Sequence, residues 1–234
     1  FRWENVNMQR FFDILFSGVA LLILSPLLLP LIFLLRITGE GEIFFPQSRV
    51  GRKGVHFKLY KFATMLKDSP NMGTGTVTLF NDPRVLPLGG FLRKTKINEL
   101  PQLINIFKGD MSVIGPRPQT QRCFDAFSKL TQKDIVSVRP GLSGIGSIIF
   151  RSEEEMMHAN AHPDHLYDNV IMPYKGKLES WYVCNNSVGN YFLLIILTIF
   201  VIFSRSTRLI FKSYSSLPRP PGTLNSFISS DYYE

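Results

Sequence analysis

Cysteine is almost missing from this chain. Cys123 and Cys184 stand far apart, with neither metal nor redox spacing. That excludes a disulfide framework and fits a reduced, cytoplasmic compartment. Charge is scarce as well, at 19% of residues against 45% hydrophobic, so disorder is excluded and contact with a membrane is expected. Of the two signs, acid is the scarcer: 18 acidic against 26 basic residues leave a formal charge of +8, which favours an anionic partner. Nucleic acid, phospholipid head groups and a phosphorylated substrate all qualify, and charge alone does not separate them. No basic and aromatic residues interleave as a nucleic-acid module would require, which weakens the first. The glycine loop "NMGTGT" at 71–76 has no Gly-Lys-Ser/Thr and is not a nucleotide P-loop. No internal repeat is present. At 234 residues the length suits one domain with appendages, and a start on Phe1 rather than methionine suggests residues lost upstream.

What is present begins with "ILFSGVALLILSPLLLPLIFLL", residues 14–35, which carries no charge. A helix of that length spans roughly 33 Å, enough for a bilayer core. A secretory signal fits poorly, since no small-residue cleavage site follows and Arg36 comes next. A kinked spanning helix and a helix that breaks at Ser25-Pro26 and returns to its own side both remain. Pro26 and Pro30 each delete a helical hydrogen bond, and the Ser25 hydroxyl can help satisfy the freed backbone. Arg2 and Arg10 before the run, and Arg36 and the basic stretch Arg49–Lys67 after it, place positive charge on both flanks. That favours the re-entrant reading, with both ends cytoplasmic.

Residues 43–66 read as strand, turn, strand around Gly51 and Gly54. A helix is expected near 97–108, with Asn98 as its cap and Gly109 as its stop, and another over 119–130. "RPGLSGIGSIIFR" reads as a glycine-rich turn and strand ending in Arg151. The apolar run 191–203 is too short to span comfortably and reads as a helix in the membrane interface or against the first apolar segment. The expected fold is α/β, mostly helical with a small β-hairpin. It divides into a membrane helix with its flanks (1–40), a catalytic region (41–190), an interfacial helix (191–212) and a loose tail (213–234).

Several stretches together resemble one family, the bacterial sugar transferases, monotopic polyprenyl-phosphate phosphoglycosyl transferases. They are the Ser25-Pro26 segment, "QSRVGRKGVHFKLYKFATM", "NDPRVLPLGGFLRKTKINELPQLINIFKGDMSVIGPRP", "VRPGLSGIGSIIFR" and "YDNVIMPYKGKLESWYV". The resemblance implies a re-entrant helix at the bacterial inner membrane and a cytoplasmic catalytic region dependent on Mg²⁺. It implies transfer of a sugar-1-phosphate from a UDP-sugar to undecaprenyl phosphate. The partners expected are a nucleotide-sugar donor, a polyprenyl phosphate acceptor and the bilayer, with no nucleic acid and with homo-oligomerisation left open. In the family the position of Asn98 is usually aspartate, which with the glutamate matching Glu99 forms the catalytic dyad. An amide is no competent nucleophile toward phosphorus and a poor Mg²⁺ ligand. Ala63 likewise stands where the family commonly has a basic residue. A catalytically silent relative is therefore the alternative.

Glu99 alone could be an ordinary first-turn carboxylate; beside this motif it becomes a metal ligand, a base or the nucleophile itself. Arg117 is fixed between two prolines, costly for a merely solvated side chain, and a planar guanidinium suits phosphate oxygens. Arg93 and Arg151 match substrate-binding positions too, against a surface ion pair, a closer contest for Arg93. Asp82 reads as a turn cap and Asp110 as a turn residue, with Arg84 left open. His158, His162 and His165, with Asp164, match no zinc spacing and read as solvent loop.

Overall fold

A computed structural model describes residues 2–72, 82–151, 153–158, 163–204, 206–224 and 228. Its elements run α1 (Arg2–Ile37), β1 (Phe44–Val50), β2 (His56–Phe62), α2 (Pro87–Lys94), α3 (Gln102–Lys108), β3 (Ser112–Ile114), α4 (Gln121–Asp125), α5 (Lys129–Ile135), β4 (Gly141–Ser143), α6 (Ile145–Ile149), α7 (Glu153–His158), α8 (Pro163–Leu166), α9 (Met172–Cys184), α10 (Val188–Ser204) and α11 (Arg208–Ser213). Among the described residues the protein is mostly helical, with two small two-stranded sheets. Two compact units share the chain: one takes Phe1–Asp13, Arg49–Phe57 and Gly109–Glu234, the other Ile14–Ser48 and Lys58–Lys108.

In the second of these, leucines of α1 at helical spacing, Leu28, Leu31 and Leu35, bury against Phe62 of β2 and Leu92 of α2. Much of the apolar run of α1 is bare: Leu22, Ile23, Leu29 and Phe33 are all exposed. Among the described residues α1 is the one helix long and apolar enough to cross a membrane. Both prolines lie inside it. Ser25 Oγ donates to the Leu22 carbonyl at 2.7 Å, the acceptor that Pro26 cannot serve. The hairpin β1–β2 forms as its sequence predicts, turning through Arg52–Gly54. Asn105 then fixes α3 to it, taking the Tyr60 N–H at 3.0 Å and donating to the Lys58 carbonyl at 2.8 Å. Gly109, at φ 99°, stops α3 where expected.

In the other unit β3 pairs in parallel with β4, Ser112 opposite Gly141 and Ile114 opposite Ser143. Tyr182 of α9 donates to the Ile114 carbonyl at 3.2 Å. On α10, Tyr191, Leu194, Leu197 and Val201 are buried while Ile196, Ile199, Ile202 and Phe203 are bare, and the 191–203 run is helical as expected. Two readings are corrected. The stretch 119–130 is two short helices, because Thr120 and Ser128 each cap a new start by accepting the backbone N–H three residues on. The strand expected in "GSIIF" is instead α6, whose Ile145, Ile148 and Ile149 are all buried; a short apolar run enclosed by packing carries no period to distinguish strand from helix.

Candidate active site

The turn Ile97–Glu99 is entered through Lys96 at φ 60°, left-handed backbone that costs a residue with a Cβ about 1 kcal/mol. This corrects the expected cap. Asn98 makes no capping bond, and α3 starts only after Pro101, at Gln102. The turn buries Asn98 to 7% exposure and leaves its Oδ1 with no hydrogen-bond partner among the described residues. A buried acceptor left unpaired costs about 1–3 kcal/mol, so such atoms call for an explanation. Next to it, Glu99 Oε1 lies 3.1 Å from Lys61 Nζ, both side chains 19% exposed. Lys61 comes from β2, so the hairpin sets this pair. Arg93, in the last turn of α2, places Nη1 3.6 Å from Met65 Sδ.

No group of three or more His, Cys, Asp or Glu able to hold a metal exists among the described residues. Mg²⁺ does not need one, since it usually keeps waters and substrate phosphates and takes one or two protein oxygens. The Glu99 carboxylate fits that role in kind, and the unpaired Asn98 carbonyl is a weaker oxygen donor beside it in the chain.

Arg117 and Arg151 belong to the other unit. Arg117 is exposed between buried Pro116 and Pro118, and its backbone N–H donates to Glu179 Oε1 at 3.4 Å. Arg151 is exposed too, but its Nη1 donates to the Val201 carbonyl at 2.7 Å, so it ties down the end of α10. The structure thus shows a structural contact for Arg151, beside the substrate role expected of it from the sequence. Around the Arg117 backbone lies a buried ionic group that the sequence did not reveal. Glu179 is fully buried on α9, and its Oε2 has no partner among the described residues. Desolvation pushes its pKa up to about 7, against the lowering effects of the Arg117 N–H and of the Lys175 and Arg117 charges. Any Cβ at residue 146 would stand 2.5 Å from Glu179 Oε1, so Gly146 makes room for this carboxyl. One turn back, Lys175 pairs with Glu153 and lies 5.1 Å from the Phe150 ring centroid. Burial pulls its pKa down, with Glu153 opposing.

Asp82 and Arg84 are settled as structural. Both are buried, with Nε–Oδ1 at 2.8 Å and Nη2–Oδ2 at 2.6 Å, and Arg84 Nη1 also donates to the Ser69 and Met72 carbonyls. His162 and most of the 71–76 loop lie outside the described residues.

The sequence pattern of the bacterial sugar transferases matches residues 4–205. Among similar proteins, the exopolysaccharide production protein ExoY of Rhizobium meliloti is 37% identical over 159 residues, 62% of this chain and 70% of its own length. The galactosyl transferase CpsE of Streptococcus agalactiae is 34% identical over 212 residues, 86% of this chain and 43% of its own. The UDP-glucose:undecaprenyl-phosphate glucose-1-phosphate transferase of Escherichia coli is 35% identical over 146 residues, 62% of this chain and 31% of its own. The chain thus spans less than half the length of the two longer relatives.

Proposed function

The chain belongs to the bacterial sugar transferase family, and from that membership we propose that it transfers a sugar-1-phosphate from a UDP-sugar to undecaprenyl phosphate, at the cytoplasmic face of a bacterial inner membrane. The reaction breaks the bond between the two donor phosphates, releases UMP and joins the sugar phosphate to the lipid phosphate. The observation that carries this reading is Glu99, a half-buried carboxylate held by Lys61 beside the unpaired Asn98 carbonyl. Glu99 is the acid that serves as nucleophile or base in a site whose second carboxylate is replaced by an amide. Glu99 would hold Mg²⁺ together with donor oxygens, with Asn98 Oδ1 at most a weak further ligand, and the ion would neutralise diphosphate charge. Arg93, Arg117 and Arg151 are the side chains we assign to the donor phosphates, where guanidinium pairs bidentately.

The bare apolar surface of α1 anchors the protein as a re-entrant helix, with the bare face of α10 lying in the interface. That brings a water-soluble donor to an acceptor that cannot leave the bilayer.

Purified protein is given a panel of UDP-sugars with undecaprenyl phosphate and Mg²⁺, and UMP release is followed. We expect release with at least one donor, abolition in Glu99→Gln and only a modest change in Asn98→Asp. A second outcome identifies a silent family member: no release from any donor, with Asn98→Asp restoring turnover by orders of magnitude and giving a phosphosugar adduct on residue 98 by mass spectrometry. An active Glu99→Gln protein with no adduct would sink both versions.

A further inference from the structure

Lys175 and Glu179 stand one turn apart on α9, so their side chains leave one face of the helix, and both are buried. Each reaches a segment that carries an arginine. Glu179 Oε1 accepts the Arg117 N–H at 3.4 Å, in the stretch where Pro116 and Pro118 are buried. Lys175 holds the flanks of Arg151. Its ammonium pairs with Glu153, two residues after Arg151, and lies 5.1 Å from the ring centroid of Phe150, the residue before it. The Glu153 N–H donates to the Phe150 carbonyl at 3.2 Å, and Tyr174 of α9 meets the Phe150 ring edge-on at 5.8 Å. Both arginines are exposed, while α9 grips the chain beneath each of them.

Stability gives little reason for these charges. Taking an ammonium and a carboxylate out of water is costly, and apolar side chains of like volume often serve a core as well or better. Here the pairing is also incomplete, since Glu179 Oε2 has no hydrogen-bond partner among the described residues. Room is nonetheless kept for that carboxyl, because a Cβ on Gly146 would stand 2.5 Å from Oε1. What polar grips supply is direction: a hydrogen bond fixes distance and angle, where apolar contact allows sliding. Side chains that meet a ligand need such fixing to within about 0.5 Å, from neighbours that are themselves locked.

We propose that Lys175 and Glu179 are positioning residues, which set Arg117 and Arg151 in register for the two phosphates of a nucleoside diphosphate. The proposal rests on the reading of both arginines as ligands of the donor phosphates. Register matters to a ligand with two phosphates; a lone phosphate is met by one arginine wherever the other stands. Lys175 and Glu179 act through the segments they hold.

The test titrates the full chain, in neutral detergent at fixed Mg²⁺, with UDP or UMP by calorimetry. We expect wild type to prefer UDP, and Arg117→Gln and Arg151→Gln each to narrow that preference by about tenfold, the loss of one good charged contact. Gly146→Ala keeps both positioning residues but drives the Glu179 carboxyl aside. Lys175→Met/Glu153→Met removes the other grip without stranding a charge. Each should narrow the preference about as far as the arginine variants do, with UMP affinity unchanged. Glu179→Gln, which keeps an acceptor for the Arg117 N–H, should bind both nucleotides like wild type. A cooperative thermal transition confirms that each variant is folded, and the two grips are tested on separate segments. Gly146→Ala and Lys175→Met/Glu153→Met proteins that keep the wild-type preference, or lose UDP and UMP affinity by the same factor, overturn the positioning role. Arginine variants that keep the preference overturn the donor assignment beneath it, so the two failures are told apart.

Discussion

Glu179 shows how much of a site one residue can conceal. In sequence it sits four positions after Lys175, the spacing of an ordinary solvated pair on a helix face, and nothing in "YKGKLESWY" separates it from one. Only the fold shows that this face of α9 is buried against α6, that Gly146 vacates space for the carboxyl, and that the Arg117 N–H reaches it. Its raised pKa has a consequence with a definite sign. Unfolded, the group loses its proton near the ordinary carboxyl value of 4.5; folded, it keeps it until about 7. Between those values the folded state binds more protons, so stability falls as pH rises through that window and levels off above it. Glu179→Gln keeps an acceptor for Arg117 and removes the charge. Unfolding measured at pH 5 should differ little between the two proteins. At pH 8 the variant should be more stable, by at most about 3 kcal/mol, the two-state value of such a shift. A variant equally destabilised at both pH values would mean that the carboxyl serves packing alone. Asn98 was legible as the anomaly in its motif, but the same sequence suggested a cap, because burial of its carbonyl depends on the left-handed turn at Lys96.

At the scale of elements, legibility followed the length and period of each pattern. The uncharged run gave α1, and alternation around Gly51 and Gly54 gave the hairpin. The "GSIIF" stretch, too short to show a period, was resolved only by what packs around it. Among the described residues of the segment joining β2 to α2, an antiparallel bridge between Met65 and Val85 is supplemented by the buried Asp82–Arg84 pair, which also reaches two carbonyls of the Ser69–Met72 turn. Asp82→Ala leaves the Arg84 cation with carbonyl partners only, and should lower the midpoint of thermal or denaturant unfolding. Asp82→Ala/Arg84→Met should recover a large part of that loss, since the penalty comes from the stranded charge. If the single variant is as stable as wild type, the pair does not organise this segment.

For the whole molecule, the open matter of geometry is which side of a membrane each end of α1 meets. With Cys123 and Cys184 replaced by serine, cysteines placed at Asn7 and at Thr38, both exposed, report it. In sealed inner-membrane vesicles of known orientation, a re-entrant α1 gives both positions the same accessibility to an impermeant thiol reagent. Opposite accessibilities would make α1 a spanning helix and put the proposed catalytic residues and the chain's start on different sides. The contact between Arg151 and the Val201 carbonyl has a reach of its own here. The guanidinium proposed for the donor is the partner of the last turns of α10, so if Arg151 binds the donor, donor and helix would compete for one cation. Linkage would make that competition reciprocal: whatever the donor gained from Arg151, the end of α10 would lose, and a bilayer that gripped α10 would alter donor affinity by the same factor. An enzyme wired in this way would sense, through a single hydrogen bond, whether it is seated on its membrane before it spends a nucleotide sugar.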